Sequence, residues 1–140
     1  MHEQAMSVRE DSDEREIQRL LAQLAHLADD GDLEEYASLF TEDATWGGDG
    51  APRSHGRSDI LQGARERRAK GTTGPGSHTV HVVSTVDVRI EGDRATSRSV
   101  FQFFVDTDDS PRLQVIGNYA DEFRREQSGW KLANRKILSG

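Results

Sequence analysis

Cysteine is absent from the 140 residues. That removes a disulfide framework, a thiolate nucleophile and any cysteine-ligated metal from consideration, although it does not fix the compartment. Positive charge is scarce: 18 Lys and Arg face 25 Asp and Glu, a formal net charge of −7. This argues against nucleic acid as the partner, because phosphate binding needs a basic face. No apolar run approaches the roughly 20 residues of a membrane span. The opening stretch MHEQAMSVREDSDER lacks the hydrophobic segment of a secretory signal. The expectation is a cytoplasmic protein with no membrane partner. There is no G-x-S-x-G elbow, no dinucleotide fingerprint and no phosphate-binding glycine loop. GTTGPG, residues 71–76, is glycine-rich, but it follows a helix and enters a strand, the wrong context for cradling phosphate.

The chain is long enough for one domain, expected over 13–140, with residues 1–12 as a mobile polar tail. From Asp13 to about Asp29, Ile17, Leu20, Leu21, Leu24, Leu27 and Ala28 recur at helical spacing, and Gly31 ends the helix. Asp32 caps a second short helix over Leu33 to Phe40. TEDATW reads as a short strand, and GGDGAPRSHGRS as loop. Ser58 opens a third helix, to about Arg68. The second half changes character. Thr79 to Ile90, Arg94 to Asp106, Leu113 to Glu126 and Trp130 to Leu138 read as strands, with hairpin turns at EGDR and EQSG. Helices first and an antiparallel meander afterwards mean α+β.

Alternation in Thr79 to Ile90 puts Val80, Val82, Val86, Val88 and Ile90 on one face. The other face begins semi-polar at His81 and Val83 and becomes charged at Asp87 and Arg89. A curved sheet around a pocket would show this pattern. If His81 faces inward, the valine face is the outside of the sheet. It then calls for a second copy, packed as a homodimer, with a trimer as the second arrangement.

Three polar residues could carry chemistry. Asp29 lies about 100 degrees from the centre of the leucine stripe, on the shoulder shared with Ala22 and Ala25, whereas Asp30 and His26 point away. It is either a solvated acid at the helix end or an acid leaning over the edge of the core. An Asp there opposes the helix dipole, so it is a poor choice for stability. His81 sits among apolar neighbours. It is either a core histidine bonded to backbone or, beside a carboxylate, a base adjustable at neutral pH. His78, three residues earlier, points to the opposite face of a strand, so the two cannot share an ion, and no metal site is expected. Arg135 in WKLANRKIL is either solvent-facing or turned into the pocket, where it would hold an anion or developing negative charge.

The chain resembles the nuclear transport factor 2-like superfamily, in its SnoaL-like branch. The resemblance runs through IQRLLAQLAHLADDGDLEEYASLFTEDATW, HGRSDI, HVVSTVDVRIEGDRATSRSVF and GNYADEFRREQSGWKLANRKI, nearly the whole chain from Asp13. It implies a cone-shaped, curved antiparallel sheet around a deep pocket closed by the N-terminal helices. In the relatives scytalone dehydratase and hexachlorocyclohexane dehydrochlorinase, an Asp at the end of the first helix pairs with a His on the first long strand. Those positions are Asp29 and His81 here. The dehydrochlorinase also carries an Arg where Arg135 stands. Departures accompany these matches. Leu24 stands where the dehydrochlorinase has Lys and ketosteroid isomerase has Tyr. Ala28 stands where scytalone dehydratase has Tyr. A second family Tyr and the isomerase Asp fall near Gly48, with Asp49 one position off. The family often has Asn where this chain has Thr85.

The resemblance supports two readings. In the first the chain is a lyase, isomerase or cyclase acting without a cofactor on a small, mostly apolar molecule, aromatic or polyketide-like. His81 is the general base and Asp29 fixes its tautomer, while Tyr119, Trp46 or Arg135 polarises the oxygen or holds the leaving group. The expected wall is Leu24, Tyr36, Phe40, Trp46, Val83, Thr85, Tyr119 and either Phe101 or Phe103, which share a face. In the second reading the chain is a non-catalytic small-ligand carrier or scaffold subunit of the same fold. A His and an Asp meeting inside a cavity separate the two, because a scaffold has no need of them.

Overall fold

The apolar stripe Ile17, Leu20, Leu21 and Leu24 is buried along one face of a long helix, α1 (His2–Asp30). The computed structural model describes the backbone of residues 2–48 and 54–139, and the side chains of 8–48 and 54–138. Asp49 lies outside the described residues. α1 begins upstream of the Asp13 start marked by the stripe, because the segment before it is rich in helix formers and contains no Pro or Gly. Its end depends on Gly31 for close approach: a Cβ there would lie 2.9 Å from the Leu27 Cα and overlap the Leu27 side chain. Asp32 caps α2 (Leu33–Ser38) by accepting from the Glu34 N–H at 3.3 Å. α3 spans Arg57–Ala69 and starts from Gly56 without a side-chain cap, so Ser58 lies inside the helix rather than capping it.

Six strands form one sheet in the order β2-β1-β6-β5-β4-β3. They are β1 (Phe40–Gly48), β2 (Ser54–His55), β3 (Val80–Glu91), β4 (Arg94–Val105), β5 (Arg112–Glu126) and β6 (Gly129–Ser139). β3 to β6 make the expected antiparallel meander. β1 adds to β6 in parallel, and β2 extends the edge from within the stretch read as loop. The three helices lie on one face of this sheet. The core between the layers joins the α1 stripe to Phe40, Ala95, Phe123, Trp130 and Leu132.

The start of the buried stripe is tied to the far hairpin. Arg125 donates two bonds to the Asp13 carboxylate, at 2.9 and 2.7 Å, and Trp130 Nε1 donates to the same acid at 3.1 Å. The Arg125 bond, reinforced by that of Trp130, holds the Asp13 carboxyl below its ordinary range despite burial. Among the described residues no helix is long and apolar enough to cross a membrane.

One expectation is overturned. The even-numbered face of β3 is not continuous. The pairing with β4 shifts between Ser84 and Asp87, and Thr85 takes φ 53, a conformation rare for a β-branched residue. The irregularity is a β-bulge. One extra residue moves the period-two pattern by one place and swaps the faces of the strand. Before it, His81 and Val83 face the helices while Val82 is exposed. After it, Val86, Val88 and Ile90 turn inward onto the core. The outer apolar face is therefore shorter than alternation implies. It is completed from β5 by Leu113 and Ile116, both exposed.

Candidate active site

Asp29 sits in the last turn of α1, where the final carbonyls lack helical partners. Arg68 of α3 supplies donors. Its Nη2 reaches the Leu27 carbonyl at 2.8 Å and the Ala28 carbonyl at 3.3 Å. A cation at the helix C-terminus also opposes the dipole that disfavours Asp29. The end of α1 is thus pinned on the flank of the sheet, against β3.

β3 is an edge strand, so alternate backbone N–H groups have no neighbouring strand. Asp29 takes one of them: the His81 N–H donates to Oδ2 at 2.8 Å. The other oxygen, Oδ1, lies 2.7 Å from His81 Nδ1. Both oxygens of one carboxylate therefore hold one residue, its backbone and its ring. The acid is an acceptor, so in the neutral ring Nδ1 carries the proton and Nε2 keeps the free lone pair. The Asp29 side chain is 11% exposed and that of His81 is 21% exposed, so the pair is shielded without being sealed. The imidazole also lies against Phe103, with ring centroids 4.6 Å apart.

His81 lines a cavity of about 230 Å³ between the helices and the concave face of the sheet. Of the expected wall residues, Tyr36, Trp46, Val83, Phe101, Phe103 and Tyr119 are there, and Arg135 with them. Phe101 and Tyr119 stack at 4.5 Å, in a space kept open by Gly117. A Cβ on Gly117 would fall 2.7 Å from the Phe101 ring.

Three wall residues are corrected. Leu24 and Phe40 are fully buried in the solid core beneath the cavity, and Phe40 meets it only through an edge contact with Tyr36 at 5.2 Å. Their place on the apolar stripe could not separate core from cavity, since both are dry. Thr85 is exposed, because the bulge turns it out of the sheet. The wall also contains residues that the expected wall did not include. Ala25 and Ala28 leave room along α1, Val115 and Ile137 come from the strands, and Arg67, Thr72 and Thr73 stand at the end of α3 and the turn after it. Ala25 was marked only by its place on the shoulder of the stripe, and Ala28 by standing where the resemblance puts a Tyr.

Arg135 is in the cavity wall, but two of its nitrogens are committed. Nε and Nη2 each meet a different oxygen of Asp121 at 2.9 Å, in a buried, two-pronged ion pair. Burial alone would lower the Arg135 pKa, but the Asp121 carboxylate outweighs it and holds the guanidinium charged. The cation lies 3.7 Å from the centre of the Tyr119 ring. Burial pushes the Tyr119 phenol up to about 12, with Arg135 pulling in the opposite direction. Tyr36 is likewise raised by burial. Both are neutral hydroxyls at pH 7, and among the described residues neither has a hydrogen-bond partner in the protein. His78 lies outside this constellation, half exposed and 3.7 Å from Asp108.

A family model described as the SnoaL-like domain matches residues 9–136. No curated protein matches the chain significantly. Among solved structures, an NTF2-like protein with a cystatin-like fold from Novosphingobium aromaticivorans is 27% identical, with 99% of this chain and 89% of that one covered, at a TM-score of 0.83. A protein of the same organism named as a candidate aromatic ring hydroxylase is 26% identical over 91% of this chain and 89% of that one, at a TM-score of 0.74. A third, named as a candidate scytalone dehydratase, is 21% identical over 96% of this chain and 88% of that one, at a TM-score of 0.79, a likeness of fold alone.

Proposed function

The chain belongs to the SnoaL-like domain family, and from that premise we propose that its cavity is the active site of a cofactor-independent lyase, isomerase or cyclase. The substrate is small and mostly apolar, aromatic or polyketide-like. The single observation that carries this reading is His81, gripped by both oxygens of Asp29 at the wall of an apolar cavity. The ring's bond to Oδ1 sets the imidazole's tautomer and direction, and the backbone N–H bond to Oδ2 holds the carboxylate in place to receive it, as a general base requires. The name of the ring hydroxylase among the similar structures supports an aromatic substrate class.

His81 Nε2 removes a proton from a carbon next to a carbonyl. The electron pair moves onto the carbonyl oxygen, and the Nδ1–H to Asp29 stabilises the imidazolium that forms. Tyr119, kept protonated by burial, donates a hydrogen bond to the developing oxyanion. Arg135 acts through Tyr119, since its charge is largely matched by Asp121. The imidazolium then returns the proton to another carbon, to a departing hydroxyl, or to the alkoxide of a closed ring, which yields isomerisation, dehydration or cyclisation. The chain works as a homodimer, with a trimer as the second arrangement. The exposed Val82, Leu113 and Ile116 form the apolar part of the contact.

The test is hydrogen–deuterium exchange at carbon, followed by NMR in D₂O with a panel of bicyclic aromatic ketones. Catalysed exchange is expected, falling about 10²–10⁴-fold in His81→Ala and less in Asp29→Asn. Exchange that survives His81→Ala unchanged refutes the assignment. One observation favours a second reading, non-catalytic ligand binding: Leu24 and Ala28 bring no polar group where relatives carry Lys and Tyr. Tight binding of the ketones with no exchange would select it.

A further inference from the structure

Arg67 belongs to no part of the acid–base machinery. It occupies the last turn of α3, lines the cavity, and stands 4.9 Å from the centre of the Trp46 ring. Among the described residues it has no carboxylate within ion-pair distance. Its neighbours in sequence do have partners: Arg65 meets Glu34 at 3.3 Å, and Arg68 meets the carbonyls at the end of α1. The other cation of the wall, Arg135, is matched by Asp121. Asp29 stands behind His81 and does not line the cavity. Arg67 is therefore the wall's charge without a counter-ion among the described residues.

A guanidinium set against an apolar wall is partly stripped of water, and the face of one tryptophan replaces only a fraction of that solvation. The head group lies back along the helix, within ordinary van der Waals reach of Gly63 one turn earlier, where a Cβ would stand 3.4 Å from Nη1. The chain then turns back on itself as the Thr72 N–H donates to the Arg67 carbonyl at 2.9 Å. Thr72 and Thr73 also line the cavity. A planar five-donor fork and an aromatic face on one cavity wall suit a carboxylate on an aromatic frame.

We propose that Arg67, with Thr72 and Thr73 beside it, selects substrates bearing a carboxylate and orients them with the reacting carbon toward His81. The inference names the substrate class of the proposed site, and so rests on the cavity being where substrate binds. It does not depend on turnover, because it is read by binding.

The probes are 2-naphthoate and its neutral isostere 2-naphthamide, titrated calorimetrically into the full chain at pH 7.5 and low salt. The acid is expected to bind at least tenfold more tightly than the amide, with an advantage that shrinks as salt rises. Arg67→Met should erase that advantage and leave amide affinity within about twofold of the wild type, while Arg67→Lys should retain part of it. Equal affinity for the two probes in the wild type, no binding of the acid, or a preference that survives Arg67→Met would each overturn the proposal. His81→Ala should keep the preference intact, so failure of the acid–base reading and failure of the anion reading give different results.

Discussion

Replacing Asp121 with Asn tests whether the buried ion pair is what supports the cavity floor. The Asp121 side chain is fully buried and that of Arg135 is 7% exposed, so neither charge has water to fall back on. Asn removes the negative charge and one of two good acceptors but keeps the shape. The guanidinium is then left with a single neutral hydrogen bond and the Tyr119 ring. Breaking a buried pair from one side costs about 3–5 kcal/mol, and the retained amide oxygen places this change near about 3 kcal/mol. For 140 residues, an unfolding entropy of about 0.3 kcal/mol/K converts that into a Tm lower by about 10 °C. The assay is thermal and urea unfolding of the wild type, Asp121→Asn, and the double variant Asp121→Val/Arg135→Met. The double variant removes both charges together, so it should recover to within about 2 kcal/mol of the wild type despite carrying two core changes. A loss below about 1 kcal/mol in Asp121→Asn would mean that Arg135 is not held as an otherwise uncompensated buried charge. A double variant no more stable than the single one would refute the pairwise origin of the effect.

Two further outcomes follow from the same geometry. The Tyr119 phenol titrates at about 12 in the folded protein against an ordinary value near ~10, so the native state holds this proton longer than the unfolded chain does. Its contribution to stability is complete below about pH 10 and is lost as pH rises toward about 12, at up to ~1.4 kcal/mol per pH unit; Tyr119→Phe should flatten the alkaline limb of the stability curve, and an unchanged limb would deny the burial of the phenol. Sedimentation at micromolar concentration should give a dimer, and Ile116→Lys on the outer face should shift it toward monomer without altering the cavity; a wild-type monomer would remove the homodimer from the reading.

The order of elements apart from the short β2, the α+β class and the face of α1 that meets the sheet were legible in local spacing. Period 3.6 in Ile17 to Leu24 and period 2 in the four long strands are properties of neighbours in the chain, and a sequence displays them directly. The resemblance to SnoaL-like proteins then marked Asp29 and His81 as partners, which spacing alone left open. Other features were decided only by the fold. The bulge at Thr85 is one residue of extra length, visible only against the partner strand, yet it reverses the faces of Val86, Val88 and Ile90. Arg135 looked available for a substrate anion because its counter-ion lies on the neighbouring strand, at the register partner Asp121. Leu24 and Phe40 looked like wall because a filled core and an empty cavity select the same apolar residues. Arg67 carried no signal, since an arginine in the last turn of a helix is favoured there whatever it faces. In each case the missing information is a distance between residues far apart in sequence, which becomes definite only when the sheet closes over the helices.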